Sequence, residues 1–179
     1  SQINAFALPG GFIGVNTGLL LAAQAESEVA GVMAHEIAHV TQRHIARMLQ
    51  QQNQSAVTTL GTIAAALLLS RVDSQAAQAA LAFGQAGAIQ GQLNFSRDME
   101  READRMGYGI LGAAGFASQG MAQMFEKLDS ANRINDSGNF PYLRSHPLTV
   151  ERISEARSRA LFGAAGQIGY AILFRIASG

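Results

Sequence analysis

The sequence predicts an α+β fold, predominantly helical with a small N-terminal β-sheet. Three observations carry that expectation. The segment from Asn4 to Val15 reads as two short extended runs about Pro9-Gly10-Gly11, a turn signal followed by the strand-favouring Phe12, Ile13 and Val15. After Gly18 the composition turns helical and stays so. The length of 179 residues corresponds to about one domain, long enough to bury roughly 70% of the surface its unfolded chain exposes.

The elements follow in order. Glu28 to about Gln52 predicts one long helix, because it holds no Pro and Gly31 is its only Gly. Ser55 to about Gln92 is Ala-rich with Gly61, Gly84, Gly87 and Gly91, and predicts two helices in a hairpin that turns near Arg71-Val72-Asp73-Ser74. Asn94 or Ser96 is expected to cap a further helix with Asp98 in its first turn, running to about Leu111, with Gly112 and Gly115 beyond it. Ser118 starts another, which ends near Asn132, and a polar loop covers Arg133 to Pro147. Thr149 caps a last helix that stops before Gly163. The domain is thus expected to occupy residues 1–163, with an apolar tail over 164–179.

Composition removes several function classes. Cys is absent, which excludes a disulfide framework, a thiolate metal site and a cysteine nucleophile together. Thirteen basic and thirteen acidic side chains cancel, so the electrostatic footprint of a nucleic-acid binder is missing and no nucleic-acid partner is expected. The longest apolar segment, Val57 to Leu69, is shorter than a membrane span and carries Thr58, Thr59, Gly61 and Thr62. The chain opens on Ser1 with no visible signal peptide and reads as a mature or trimmed form. Charged residues make up 15% of the chain against about 25% in typical domains. That shortfall predicts surface covered by a partner, by further chain or by a membrane.

The predicted long helix contains His35-Glu36-Ile37-Ala38-His39, an HExxH pattern. At about 100° per residue His35 and His39 project from one face one turn apart, so two imidazoles can hold one ion. Glu36 lies beside that face, placed to take a proton from water that a metal such as Zn²⁺ acidifies to a pKa of about 7. An ordinary helix with two core-facing histidines shares the apolar flank of Val29, Val32, Met33, Ile37 and Val40; a second, independent feature tips the reading toward metal. A catalytic site needs a third protein ligand and one open position. His44 lies about 140° further round a regular helix and cannot join the pair, so it is expected at the surface or behind the ligands. A carboxylate on another helix is available in Glu100-Arg101-Glu102-Ala103-Asp104. Glu100 and Asp104 share a face while Glu102 points away. Such a pair can divide the work, Glu100 ligating and Asp104 accepting the outer N–H of a ligand imidazole.

HExxH followed by Glu-x-x-Ala-Asp resembles the zinc metallopeptidase family of the CAAX prenyl endopeptidases and HtpX, and within it the soluble BepA-type branch. Three further stretches agree: Asn4-Ala5-Phe6-Ala7-Leu8-Pro9-Gly10-Gly11, Arg43-His44, and Ser145-His146-Pro147 with Arg152-Ile153. The resemblance covers about residues 4 to 160. It implies a zincin-type metallopeptidase domain holding one Zn²⁺ per chain on His35, His39 and Glu100, with Glu36 as general base. It also implies a zinc endopeptidase of the bacterial periplasm, free or attached to a membrane surface. Its substrates would be unfolded or misassembled envelope and outer-membrane proteins, and the outer-membrane assembly machinery a contact. Relatives of this branch carry a C-terminal tetratricopeptide-repeat domain, which would follow the tail or be lacking in a shorter relative.

His146, on the loop before Pro147, has two candidate metal-proximal roles. As a hydrogen-bond donor it stabilises the oxyanion of a tetrahedral intermediate; as a fourth ligand it closes the site and makes the enzyme latent. Tyr142 and Arg144 are weaker candidates for the same donor. The extended run Phe12 to Asn16 is expected to capture substrate by pairing with its backbone at a sheet edge. The rival reading is a non-catalytic, assembly- or chaperone-like module with latent or structural zinc, acting through the hairpin at residues 55 to 92, which would grip a partner or membrane surface or serve as a lid.

Overall fold

The structure, a computed structural model, describes residues 2–134 and 140–162. Strands β1 (Ala5–Ala7) and β2 (Ile13–Val15) pair antiparallel in the register Ala5 to Val15 and Ala7 to Ile13. Gly10 and Gly11 hold the turn between them at φ +92° and +85°, the left-handed region that a side chain disfavours. Helices α1 (Thr17–Ala22), α2 (Glu26–Thr41), α3 (His44–Leu69), α4 (Ser74–Ala113), α5 (Gln119–Ile134) and α6 (Pro141–Ser145) follow, and α7 is helical over 150–162. The α+β, mainly helical fold class expected from the sequence is the one observed.

Contacts divide the chain into two compact units. The first comprises residues up to Gln42 together with those from Arg101 onward. Helix α2 runs between its two apolar clusters, giving Val32 to one (with Leu19, Met124, Leu128 and Tyr142) and Ala34 to the other (with Leu111, Met121, Phe125 and Ile153). Glycines set its close approaches. A Cβ on Gly31 would lie 2.8 Å from the Met121 Cα, and one on Gly107 would lie 3.0 Å from the His35 Cα. Helix α4 ends in a Schellman motif, with Gly115 at φ +81° donating to Gly112 O and Phe116 N–H donating to Leu111 O.

The second unit, Arg43–Glu100, is a helical hairpin of α3 and the first part of α4. Asp73 caps α4 by accepting from the Gln75 and Ala76 amides at 2.8 and 3.2 Å. The turn falls at 70–73, as expected. Further along, the Arg47 guanidinium lies 6.0 Å from the Phe95 ring centroid, and Gly84 packs on Thr62.

Three sequence expectations are corrected. The helix from Glu28 does not run to Gln52: α2 stops at Thr41, and Arg43 turns left-handed at φ 55°, ψ 37°. An L-residue there costs on the order of 1 kcal/mol, and no Gly or Pro stands between Val32 and Gln52 to announce it. His44 opens the next helix and is buried, which removes the surface alternative of the two expected for it. No helix starts at Asn94 or Ser96, because α4 is unbroken from Ser74 and the Asn94 side-chain carbonyl accepts from the Gln90 side-chain amide at 2.8 Å instead of capping. The loop from Arg133 to Pro147 contains α6, with Pro141 at its first turn where a missing N–H costs nothing. The Thr149 cap is as expected, its hydroxyl accepting from the Arg152 amide at 3.2 Å. The tail over 164–179 lies outside the described residues.

Candidate metal centre

His35 and His39 lie one turn apart on α2, an order the 3.6-residue period dictates. Both are buried, as are Glu36, Glu100, Asp104 and His146. His35 Nε2 lies 3.0 Å from His39 Nε2 and 3.3 Å from His146 Nδ1. The three ring centroids form a near-equilateral triangle of 4.7, 5.0 and 5.0 Å. One ligand atom from each of His35, His39, Glu100 and His146 falls within 4.8 Å of the other three. Two nitrogens bound tetrahedrally at about 2.0–2.1 Å from one ion stand about 3.3 Å apart, so the imidazole spacing fits a single divalent cation. Among the described residues no other group of His and carboxylate side chains meets this test.

His35 Nδ1 lies 2.9 Å from Asp104 Oδ1. With Nδ1–H donating to that carboxylate, the tautomer is set and the Nε2 lone pair faces the cluster. Burial opposes ionisation of Asp104, but its hydrogen bonds from Arg152 and His35 outweigh this and hold the carboxyl below its ordinary value. Arg152 makes the pairing bidentate, Nε donating to Oδ2 at 2.6 Å and Nη2 to Oδ1 at 2.8 Å. Its remaining arm, Nη1, donates to the Pro147 carbonyl at 2.8 Å. The guanidinium lies 5.2 Å from the Phe125 ring centroid. One side chain thus joins the carboxylate behind His35 to the loop that follows His146.

Glu36 Oε1 stands 3.4 Å from His146 Nε2. The His146 ring leans on Tyr142, centroids 4.8 Å apart at 32°, and its backbone N–H donates to Tyr142 O at 2.8 Å as α6 ends. Arg144 is exposed.

Of the residues that the sequence offered for the centre, His35, His39, Glu100 and His146 lie in the cluster, Glu36 beside it, Asp104 behind it and Tyr142 against His146, while Arg144 is exposed. Glu102, half-buried on the same helix, is not in the cluster, and neither is His44. Sequence reasoning missed the role of Arg152. The available signal was a basic residue three places after a helix-capping Thr149, where a helix N-terminus ordinarily favours acids.

The profile of peptidase family M48 matches residues 1–160 of the chain. Among curated proteins, the putative beta-barrel assembly-enhancing protease of Vibrio cholerae is 46% identical over 159 residues, which are 89% of this chain and 33% of that protein. The beta-barrel assembly-enhancing protease of Escherichia coli K12 is 42% identical over 159 residues, 89% of this chain and 32% of the relative. Metalloprotease YcaL of E. coli K12 is 32% identical over 164 residues, 91% of this chain and 60% of the relative. The chain spans about a third of the length of the two assembly-enhancing relatives.

Proposed function

Because the chain belongs to peptidase family M48, we propose that it is a zinc endopeptidase whose ion is held by His35, His39 and Glu100, with Glu36 as general base. The observation that supports this reading is the convergence of four ligand atoms within 4.8 Å around two imidazoles of one helical turn. A bound Zn²⁺ supplies Lewis-acid polarisation of a peptide carbonyl and acidifies water. Glu36 accepts the proton of the attacking water and delivers it to the amide nitrogen as it leaves. The C–O bond forms, the C–N bond breaks, and the products are a carboxylate and an amine. Asp104 holds the His35 ring in one tautomer, and Arg152 keeps Asp104 ionised and oriented.

His146 has two places in this scheme. With its ring among the other ligand groups it would serve as a further ligand to a bound ion and leave the enzyme latent. Swung away, its N–H donates to the oxyanion that develops on the carbonyl. Its 3.4 Å approach to Glu36 supports a residue that shields the base until substrate arrives.

For substrate, β2 is our candidate docking edge. Among the described residues the sheet has two strands, so β2 keeps one edge without a strand partner and Phe12 beside it is 71% exposed. Backbone pairing there selects extended chain over sequence, which suits unfolded or misassembled outer-membrane proteins in the bacterial periplasm. The names of the assembly-enhancing relatives support that substrate class and a contact with outer-membrane assembly.

The deciding measurement pairs metal analysis with cleavage of an unfolded protein. Glu36→Gln should retain one zinc per chain and lose cleavage by at least about 10²-fold, while His146→Ala should retain zinc. Undiminished cleavage by Glu36→Gln removes the base from the scheme. Zinc with no turnover in wild type and in His146→Ala alike favours the assembly-module reading.

A further inference from the structure

The hairpin of Arg43–Glu100 exposes large apolar side chains on its outer face as well as placing them along the groove between its helices. The outward face of α3 carries Val57, Leu60, Leu67 and Leu68, continued by Val72 in the turn and Phe83 on α4, each at least 64% exposed. The groove between the two helices, about 550 Å³, is lined by Ile63, Leu81 and Ile89 together with Thr58, Thr59 and Gln85. A hairpin made for water confines its large apolar side chains to the inward stripe and keeps its outward face polar.

Two independent features say what medium suits this surface. First, residues 48–96 contain only two charged side chains, Arg71 and Asp73, so the face has nothing to offer a charged partner. Second, the hydroxyls are satisfied within the helix. Thr58 donates to Gln54 O at 3.1 Å, Thr59 to Ser55 O at 2.8 Å, Thr62 to Thr58 O at 3.0 Å and Ser70 to Leu67 O at 2.8 Å. A hydroxyl so bonded loses little on leaving water, and this is a requirement of hydrocarbon. Gly84 against Thr62, where a Cβ would fall 2.4 Å from Thr62 Cγ2, gives the close helix approach by which small residues hold helices together in lipid.

We propose that this hairpin is a lipid-binding element which lies along a bilayer surface with the outward face of α3 immersed in the acyl boundary. No described helix is long and apolar enough to cross a membrane. Arg71 and Asp73 in the turn, with Gln75 and Gln78 exposed beyond it, oppose entry tip-first. The hairpin therefore lies flat at a shallow depth, as interfacial helices do. An apolar face spread over both helices and the turn suits a continuous medium better than a protein groove, which takes one stripe. The inference stands apart from the peptidase reading, because it uses no residue of the metal centre.

Vesicle flotation of the full chain tests it. Wild type should float with neutral phosphatidylcholine vesicles, equally at low and high salt, and phosphatidylglycerol should add little. The exposed pair Leu60→Glu with Leu67→Glu should keep the wild-type circular dichroism and lower partitioning by about tenfold or more per leucine. The chain has no Trp, so Leu68→Trp supplies a single reporter whose emission should shift to the blue on neutral vesicles. Glu36→Gln should float as wild type does. Wild type that stays at the bottom of the gradient, or that floats only with anionic lipid at low salt, overturns the proposal. So does indole emission of the Leu68→Trp variant that vesicles leave unchanged. Self-association abolished by the glutamate pair, with no lipid binding, assigns the face to a second copy of the chain instead.

Discussion

In the unit that returns from Arg101, the buried side chains include His35, Glu36, Asp104 and Arg152, each less than 8% exposed. Along the hairpin of Arg43–Glu100, leucines and Val72 lie outside and hydroxyls fold back on the backbone. The difference teaches what each stretch of sequence fixes. Desolvated ionic contacts define one geometry and penalise any missing partner; an uncharged apolar face defines a preferred medium and tolerates most changes of side chain in the folded chain itself.

Arg152→Met breaks the first half of the comparison with the largest effect. It leaves the Asp104 carboxylate buried without its bidentate partner, a loss of about 3–5 kcal/mol readable by urea denaturation. Leu68→Glu in the hairpin, adding a charge at an exposed site, should change stability by no more than about 0.5 kcal/mol. Comparable values for the two would dissolve the distinction. Arg152→Lys keeps the charge but not the fork, and should fall between them.

Glycines sharpen the same contrast at a lower magnitude. Gly31→Ala pushes a Cβ to 2.8 Å from the Met121 Cα and Gly107→Ala to 3.0 Å from the His35 Cα, overpacking that costs about 1–3 kcal/mol each. Gly61, Gly87 and Gly91 meet nothing within 4 Å. Alanine there should stabilise by up to about 1 kcal/mol per site, through helix propensity alone. Thermal midpoints moving in the same direction for both sets would contradict the assignment of tight and open glycines.

The two regions were also unequally legible in the sequence. HExxH and Glu100 with Asp104 could be read because both are one-turn spacings on a helix, and a period survives without tertiary knowledge. The hairpin turn could be read from Arg71-Val72-Asp73-Ser74 because Asp73 caps by local chemistry. What stayed hidden depends on partners distant in sequence. Arg152 meets Asp104 across 48 residues, and its one local signal, a basic side chain in the first turn after Thr149, does not name that partner. The break at Arg43 is hidden for a related reason: its left-handed turn is imposed on good helix formers, and propensity is a weak prior against tertiary context. Asn94 misled in the other direction, since a residue that can cap can equally bond one turn back to Gln90. The small helix at Pro141 did carry a signal, a proline suited to a first turn, outweighed by the Asn135-Asp136-Ser137-Gly138 run before it.

The smallest expected effect concerns pH, and it belongs to the ionic unit alone. Glu28 is buried at the start of α2, yet burial is outweighed by the Lys127 ammonium at 2.6 Å and the Gln24 amide at 2.7 Å, which hold its carboxyl below the ordinary value. A carboxyl depressed by folding contributes stability above its unfolded pKa, and that contribution fades as pH falls through the folded value. Stability should therefore decline on the acid side of about 4.5, and Lys127→Met should soften the decline while costing up to about 1 kcal/mol at neutral pH. Denaturation midpoints of the two proteins, followed from neutral to acid, should converge. Curves that stay parallel would mean that Lys127 does not set the ionisation of Glu28. The hairpin, with Asp73 as the one acid in residues 48–96, has almost no carboxylate to protonate. Its amide protection factors, measured by hydrogen exchange, should therefore change less over the same acid range than those of α2.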